Sequence, residues 1–314
     1  MDELLCRLKA SKVGCFIGKR LYGGLGYADD LCLLAPNRRS ICLLLNICES
    51  FGKEYNVKFN SKKSHLIVFN NIPNYVNMLP LYLNGEILNV KQKAIHLGHP
   101  IGNINCNEVA ISTGINNMIW RTNYVMTKFG FCNAEVRSFM FRTYCTSFYG
   151  CPLWRLDSKY INRFYSCWRK CIRKIWNIPY RTHCRFIKHL FGGPDIASDL
   201  LCRFLSFYYN TINNNNPCIS MCGILCQSSN TSVAINRRIL LKNLGDDGSI
   251  LYSNVSKHTI KKILLHNLTQ SNCNDECEAM GKLIKELCLI RDSTMTCAFN
   301  DQEILDLLNE VCIN

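Results

Sequence analysis

The sequence predicts an α+β fold, with a partial antiparallel sheet backed by a helix, followed by an all-α region. Short apolar runs bounded by glycines and turn residues cluster before Gly102, as strands do. From Asn103 onward, apolar residues recur every three and four positions, as in amphipathic helices. A polar tract at 213–216, ended by Pro217, indicates a linker. The predicted regions are therefore 1–102, 103–212 and 213–314.

The first 36 residues predict a helix followed by short strands. Residues 1–8 have helical apolar spacing, and residues 14–18 form a short strand between glycines. Two apolar runs then flank the stretch Tyr27-Ala28-Asp29-Asp30, which predicts a hairpin of buried strands with acids at its turn. Adjacent carboxylates repel by roughly 1 kcal/mol even in a water-like dielectric, and Mg²⁺ would remove that cost. A solvated Asp-Asp turn is the alternative.

The next elements are a helix, a basic loop and further hairpins. A helix is predicted from Arg39 to Tyr55, with one apolar face. A basic loop at 60–64 leads into an apolar strand at 66–69. Asn84-Gly85 between apolar residues predicts a hairpin with a type I′ turn.

In this order, these segments resemble the palm-domain end of a non-LTR (LINE-like) retrotransposon reverse transcriptase. The Tyr-Ala-Asp-Asp hairpin is similar to the third catalytic motif of that family, and the segment 95–102 follows it as expected. The resemblance is dense over 1–102, weaker to about 210, and absent beyond. It implies an RNA-directed DNA polymerase with an RNA template and a DNA primer as partners and Mg²⁺ as cofactor. The region after the palm would then correspond to a thumb and a helical extension.

The resemblance also implies roles for the hairpin residues. Asp29 and Asp30 would be the catalytic metal ligands, with Asp29 the more direct of the two. Tyr27 and Ala28 would lie near the primer end.

The resemblance also implies roles for residues of the basic loop and of a later turn. Asn60 and either Lys62 or Lys63 would lie near the triphosphate, where a lysine neutralises phosphate charge or protonates pyrophosphate. A basic loop entering a strand is the alternative. Leu97 and Gly98 resemble the primer grip, and a bulge or turn explains them equally well.

The resemblance further implies an incomplete catalytic site. In the family, a segment like 1–8 continues the helix after the second nucleotide-site motif, so we expect this chain to begin within a palm. The fingers, the first catalytic motif with its aspartate and the template-gripping motif have no counterpart here. We therefore expect the chain to be inactive alone. A non-catalytic nucleic-acid-binding remnant and a degraded fragment without function are the alternatives.

The middle of the chain is strongly basic. The formal net charge is +14, and residues 115–190 contain 14 Lys and Arg against 2 acids. Such a charge favours nucleic acid over a membrane surface as the partner. In a helix from Lys159 to Trp176, the aromatic residues share the apolar face and are expected in the core. The opposite face is either a phosphate-contacting surface or a solvated one; its cations are Arg163, Arg169, Lys170, Arg173 and Lys174.

The cysteines are expected to be reduced and free of zinc, and the C-terminus is acidic. No secretory signal is visible and no apolar run reaches about 18 residues, so an intracellular protein of the cytoplasm or nucleus with reduced thiols is expected. Some cysteines recur every four residues, at 167 and 171, at 218, 222 and 226, and at 273 and 277. Usual zinc spacings are absent, so no zinc is expected. The acid-rich segment from Cys273 either packs against the basic helices or stays solvated.

Overall fold

The structure, a computed structural model, describes residues 1–69, 80–225, 229–253, 255–270, 275–294 and 306–311. The chain divides into two compact units. The N-terminal unit comprises residues 1–106 and 216–222, and the helical unit comprises residues 107–215 and 223–314. The predicted α+β class is confirmed, while the assignment of its parts to palm and thumb stays a prediction.

The N-terminal unit combines two helices with short strands. The helices are α1 (Asp2–Ala10) and α2 (Arg38–Tyr55). The strands are β1 (Cys15–Ile17), β2 (Arg20–Tyr22), β3 (Gly24–Tyr27), β4 (Asp30–Leu33), β5 (His65–Leu66), β6 (Tyr82–Leu83), β7 (Glu86–Ile87), β8 (Asn89–Val90), β9 (Lys93–His96) and β10 (His99–Gly102).

These strands form five separate two-stranded pairs within the described residues, not one partial antiparallel sheet. Four pairs are antiparallel hairpins, and the fifth joins β5 and β8 in parallel. The strand predicted at 66–69 is therefore wrong beyond Leu66. Its partner β8 is only two residues long, so the pairing cannot extend further.

The predicted type I′ turn is confirmed. Asn84 and Gly85 have φ angles of 53° and 78°, the two positive values that this turn requires. Leu97 and Gly98 join β9 and β10 in the same way, with φ angles of 49° and 73°. At Leu97-Gly98 the backbone thus forms a plain hairpin turn.

Helix α2 forms as its pattern predicts. The Asn37 side chain caps it by accepting a hydrogen bond of 2.9 Å from the Ser40 N–H. Leu44, Cys48 and Phe51 are buried against α1 and make one small core cluster of the N-terminal unit. Residues 216–222 also belong to this unit, where the Tyr22 hydroxyl donates to the Cys218 carbonyl at 2.7 Å.

The helical unit contains most of the remaining chain. Its helices are α3 (Cys106–Phe129), α4 (Ala134–Tyr144), α5 (Lys159–Trp176), α6 (Cys184–Phe191), α7 (Ile196–Ile212), α9 (Ser232–Leu244), α10 (Lys257–Gln270) and α11 (Asp275–Thr294). Between them, α8 (Pro217–Leu225) begins in the N-terminal unit and ends in the helical unit. Short 3₁₀ turns lie at Cys151–Leu153 and Ser249–Leu251.

The core of the helical unit is aromatic, as predicted for α5. Phe164 is fully buried and makes edge-to-face contacts with Phe148 and Trp154, with ring centroids 4.9 and 5.1 Å apart. Trp168 packs edge-to-face against Phe191 in the same cluster. Aromatic pairs of this geometry contribute roughly 0.5–1.5 kcal/mol beyond their buried area.

The acidic C-terminal segment packs in its described part, which resolves the alternative left open by the sequence. Asp292 of α11 pairs with Arg137 of α4 at 3.1 Å; the Arg137 side chain is buried, and that of Asp292 is 11% exposed. Arg291 donates to the carbonyls of Trp176 and Asn177 at the end of α5. No helix in the described part of the chain is long and apolar enough to span a membrane.

Candidate functional site

The two adjacent aspartates lie at the end of the β3–β4 hairpin. Tyr27 pairs with Asp30, so Ala28 and Asp29 form a two-residue turn. Ala28 has a φ of 52°, a left-handed conformation that costs a residue with a Cβ roughly 1–2 kcal/mol. Backbone strain of this kind concentrates at functional sites, where the surrounding structure holds it in place. The predicted hairpin with acids at its turn is confirmed as a structure.

Glycines let α1 lie directly on this hairpin. A Cβ at Gly24 would stand 2.9 Å from Leu8 Cδ1, and one at Gly26 would stand 3.2 Å from Leu5 Cδ1. Because successive side chains of a strand point to opposite faces, Leu25 and Tyr27 face away from α1, and both are more than half exposed. The prediction of buried flanking strands is therefore wrong for β3, since its second face has no cover in the described residues.

An open groove of about 1620 Å³ runs beside the hairpin in the N-terminal unit. Ala28, Asp29 and Asp30 line it together with Asn60 and Lys63. Exposed Lys62 does not line it, nor do Tyr27, Leu97 and Gly98. The structure thus brings the paired acids and one of the two candidate lysines into a single cavity.

Asn60 has a structural role in this groove. Its side-chain oxygen accepts a hydrogen bond of 3.1 Å from the Lys63 N–H, and its carbonyl accepts from the Ser64 hydroxyl at 2.8 Å. These bonds fix the turn that carries the lysines, as Asn side chains commonly do. The alternative interpretation of Asn60, as part of a loop entering a strand, accounts for these contacts.

Two further residues that line the groove, His65 and Lys91, were not predicted from the sequence. Lys91 Nζ lies 3.0 Å from His65 Nε2, and both residues line the cavity. An ammonium group only donates, so Nε2 is the acceptor in this pair. His65 Nδ1 is buried and has no hydrogen-bond partner in the described part of the chain. The parallel pairing of β5 with β8 brings these residues together. No local sequence pattern predicts such a pairing.

The described residues do not fit a two-ion metal site. Two-ion transfer needs carboxylates on both sides of the reacting phosphate, with ions about 3.5–4 Å apart. Asp29 and Asp30 are adjacent at one turn, and no group of three or more His, Cys, Asp or Glu in the described part of the chain could hold a metal ion. One weakly held Mg²⁺, with water and phosphate oxygens as its other ligands, is the most that this turn suits.

The cations on the basic face of α5 are of two kinds: some are hydrogen-bonded within the protein, and others are exposed. Arg173 donates to the Thr182 carbonyl at 2.7 Å, and Lys174 donates to Asn123 Oδ1 at 2.7 Å. Arg169 makes one longer bond, of 3.3 Å, to the Ser166 hydroxyl. Arg163 and Lys170 are exposed and have no ion-pair partner among the described residues. The five predicted nucleic-acid contacts are therefore not equivalent.

The sequence analysis also missed an exposed aromatic pair on α3. Trp120 and Tyr124 are 65% and 53% exposed, and their ring centroids lie 5.8 Å apart with planes inclined by 17°. Lys128 Nζ lies 6.0 Å from the Tyr124 ring centroid. The signal was present as two aromatics and a lysine spaced by four residues, opposite a buried apolar face.

The cysteine pattern follows helix packing at 167 and 171, whereas Cys222 is exposed. Cys171 is buried in the core, and Cys167 packs against it at half burial. Cys226 and Cys273 lie outside the described residues. The absence of zinc stays a prediction.

Comparisons of the chain with protein-family models, with curated proteins and with solved structures find no match.

Proposed function

We propose that the chain contains part of the palm of an RNA-directed DNA polymerase of the non-LTR retrotransposon type. Its partners would be an RNA template and a DNA primer. The observation that carries the proposal is the pair Asp29 and Asp30 at a strained hairpin turn, opening into a groove that Lys63 also lines. Lys63 is the better candidate for the triphosphate than Lys62, because Lys62 does not line that groove.

The proposal assigns the chain one weak cation site and no complete catalytic site. When bound, Mg²⁺ supplies charge neutralisation to phosphate oxygens. Asp29 and Asp30 would hold it at the turn, and Lys63 would place a further positive charge in the same groove. With no further carboxylate near this turn in the described residues, the chain alone is expected not to extend a primer.

Metal-directed cleavage tests the cation site. Fe²⁺ replaces Mg²⁺ in oxygen-ligand sites and, with ascorbate and peroxide, cuts the backbone beside the bound ion. Cleavage is expected near Asp29 in the native chain and not in the Asp29→Asn/Asp30→Asn variant. Asp247→Asn is the matched control, since Asp246 and Asp247 form an acid pair in an ordinary turn. Equal cleavage in all three proteins would refute the site.

Primer extension tests the second part of the proposal. The native chain, Asp29→Ala and Asp247→Ala are each incubated with a primed RNA template, Mg²⁺ and four deoxynucleotides. No extension is expected from any of them. Extension by the native chain that Asp29→Ala abolishes and Asp247→Ala preserves would show that another carboxylate completes the site.

A second candidate function is nucleic-acid binding without catalysis. Arg163 and Lys170 on α5 favour it, because exposed cations without an ion-pair partner among the described residues are available for phosphates. The two functions are compatible, since the cations and the hairpin lie in different units.

A further inference from the structure

The exposed side of α3 carries two aromatic side chains, Trp120 and Tyr124, among polar residues and the exposed Ile119. The opposite side is buried through Ile111, Ile115, Met118, Thr122 and Val125. Asn116, Asn117 and Asn123 are exposed near Trp120 and Tyr124. The two rings are therefore exposed apolar surface with amide groups beside them.

The geometry of the two rings suits a planar ligand that extends the stack beyond Trp120. Trp120 and Tyr124 are one helical turn apart, and their planes are within 17° of parallel. The two rings stack on each other, so Tyr124 supports Trp120 from one side, and the outer face of Trp120 is the one that a flat, aromatic group can cover. Lys128, one turn further on, places its ammonium over the Tyr124 ring, 6.0 Å from the centroid, and so adds a positive charge beside the stack.

The charge around this face selects the ligand class. Glu108, in the first turn, is the only acid on α3, and the segment 115–190 carries 14 cations against 2 acids. Lys174 of α5 reaches Asn123 at 2.7 Å, so a cation from a second helix borders the aromatic pair. Planar groups joined by regularly spaced anions are the bases and phosphates of a nucleic-acid strand.

We propose that Trp120, Tyr124 and Lys128 form a stacking site for single-stranded nucleic acid. Bases in a duplex stack on each other and offer no free face, so the site prefers single strands. It differs from the phosphate contacts of α5, which do not distinguish single strands from duplexes. The site rests on the proposal that the chain binds nucleic acid, and it is independent of the aspartate hairpin.

Trp120 makes the site directly observable. The chain has four tryptophans, and Trp154, Trp168 and Trp176 are each at most 2% exposed. Quenching of tryptophan fluorescence by an added oligothymidylate therefore reports on Trp120. The full chain is expected to be quenched on titration, and Trp120→Phe is expected to lose the quenching while its affinity, measured by anisotropy of a labelled oligonucleotide, stays within about twofold.

Affinity measurements with alanine variants complete the test. Trp120→Ala and Tyr124→Ala should each weaken single-strand binding about fivefold or more and leave duplex binding unchanged. Tyr252→Ala removes an aromatic of similar exposure, 48%, outside α3 and α5, and should change neither. All these side chains are exposed, and an unchanged urea midpoint confirms that each variant is folded.

The outcomes separate this site from the wider proposal. If the native chain binds no oligonucleotide, nucleic-acid binding fails together with the stacking site. If it binds and the alanine variants bind as tightly, only the stacking site is refuted. Unchanged affinity with a shift of oligomeric state in Trp120→Ala, measured by sedimentation, would make this face a contact between copies of the chain and would also overturn the proposal.

Discussion

Asp292 connects two helix ends in the helical unit. It accepts from the Ala134 N–H at the start of α4 at 2.6 Å and from Arg137 at 3.1 Å, and its other oxygen accepts from Arg291 at 3.0 Å. Burial lowers the pKa of the Arg137 guanidinium, and the Asp292 charge opposes that effect. One carboxylate therefore compensates two buried cations.

Replacing this carboxylate should destabilise the helical unit strongly. Asp292→Ala leaves Arg137 and Arg291 buried without a counter-charge, so the free energy of unfolding should fall by about 3–5 kcal/mol. Urea denaturation followed by tryptophan fluorescence measures it, because three tryptophans are in this core. Glu286→Gln changes an exposed acid of the same helix and should cost less than about 0.5 kcal/mol. Similar losses in both variants would contradict the role of Asp292.

For single residues, the sequence predicts the type of side chain better than the role that the side chain has in the structure. Arg137 belongs to the basic middle and Asp292 to the acidic end, yet they meet across 155 positions. Arg173 was grouped with the phosphate contacts and is instead bonded to the Thr182 carbonyl. Long-range partners such as these depend on tertiary packing, which local spacing does not contain.

Whole elements were predicted where periodicity or turn chemistry was strong. Helices α2 and α5 bury the faces that their periodicity predicts. The hairpin turn at Asn84-Gly85 follows from backbone preferences alone. The short strands were predicted less well, because a two-residue pairing depends on its partner more than on its own sequence.

Because some cations of α5 are exposed and others are bonded within the protein, their replacement should affect nucleic-acid affinity in one case and stability in the other. Arg163→Ala with Lys170→Ala should reduce the slope of log affinity against log salt by roughly 0.7–0.9 for each phosphate that is no longer neutralised, without changing stability. Arg173→Ala should instead lower the urea midpoint, since the Thr182 carbonyl loses its donor. Lys242→Ala, an exposed lysine on α9, serves as control. An unchanged slope in the double variant would mean that this face is only solvated.

The packing of α3 against Trp154 predicts that a side chain at Gly114 destabilises the helical unit. A Cβ at Gly114 would lie 2.6 Å from Trp154 Cη2 and 2.7 Å from Cζ2. Gly114→Ala should therefore destabilise by about 1–3 kcal/mol, although alanine favours helices by up to about 1 kcal/mol. Trp154→Phe removes the crowded ring end, so adding Gly114→Ala to it should cost less. Additive losses in a denaturation cycle would contradict the clash.

The two units of the molecule have unequal cores. The N-terminal unit has two small clusters and exposes large apolar side chains on its strands, including Leu25, Ile87 and Ile95. The helical unit has two larger clusters, one of which holds the buried tryptophans. Isolated two-stranded pairs are marginally stable, so the units should not unfold together.

Buried thiols can measure that difference. Burial raises the pKa of Cys48, Cys145, Cys151 and Cys202 to about 11, so these thiols should resist alkylation until they are exposed. Cys48 lies in the N-terminal unit and the other three in the helical unit. Pulsed labelling should therefore detect Cys48 at lower urea than the others, with exposed Cys184 labelled throughout. Simultaneous labelling of all four would indicate one cooperative unit.

The same pKa values predict alkaline destabilisation. An unfolded chain loses these four protons near pH 9, whereas the folded protein holds them to about 11. The free energy of unfolding should thus fall as the pH rises through this window. Cys145→Ser with Cys202→Ser should weaken that dependence in denaturation at pH 8 and pH 10. A dependence equal to that of the native chain would contradict this origin.

The return of residues 216–222 to the N-terminal unit bears on how the chain folds during its synthesis. Tyr22 leaves the ribosome 196 positions before its acceptor, Cys218. At about 5–20 residues per second, the first strands wait roughly 10–40 s for this segment. During that interval the nascent chain presents open strand edges, which can pair with other chains. We therefore expect the yield of native protein to depend on the rate of translation as well as on the final structure.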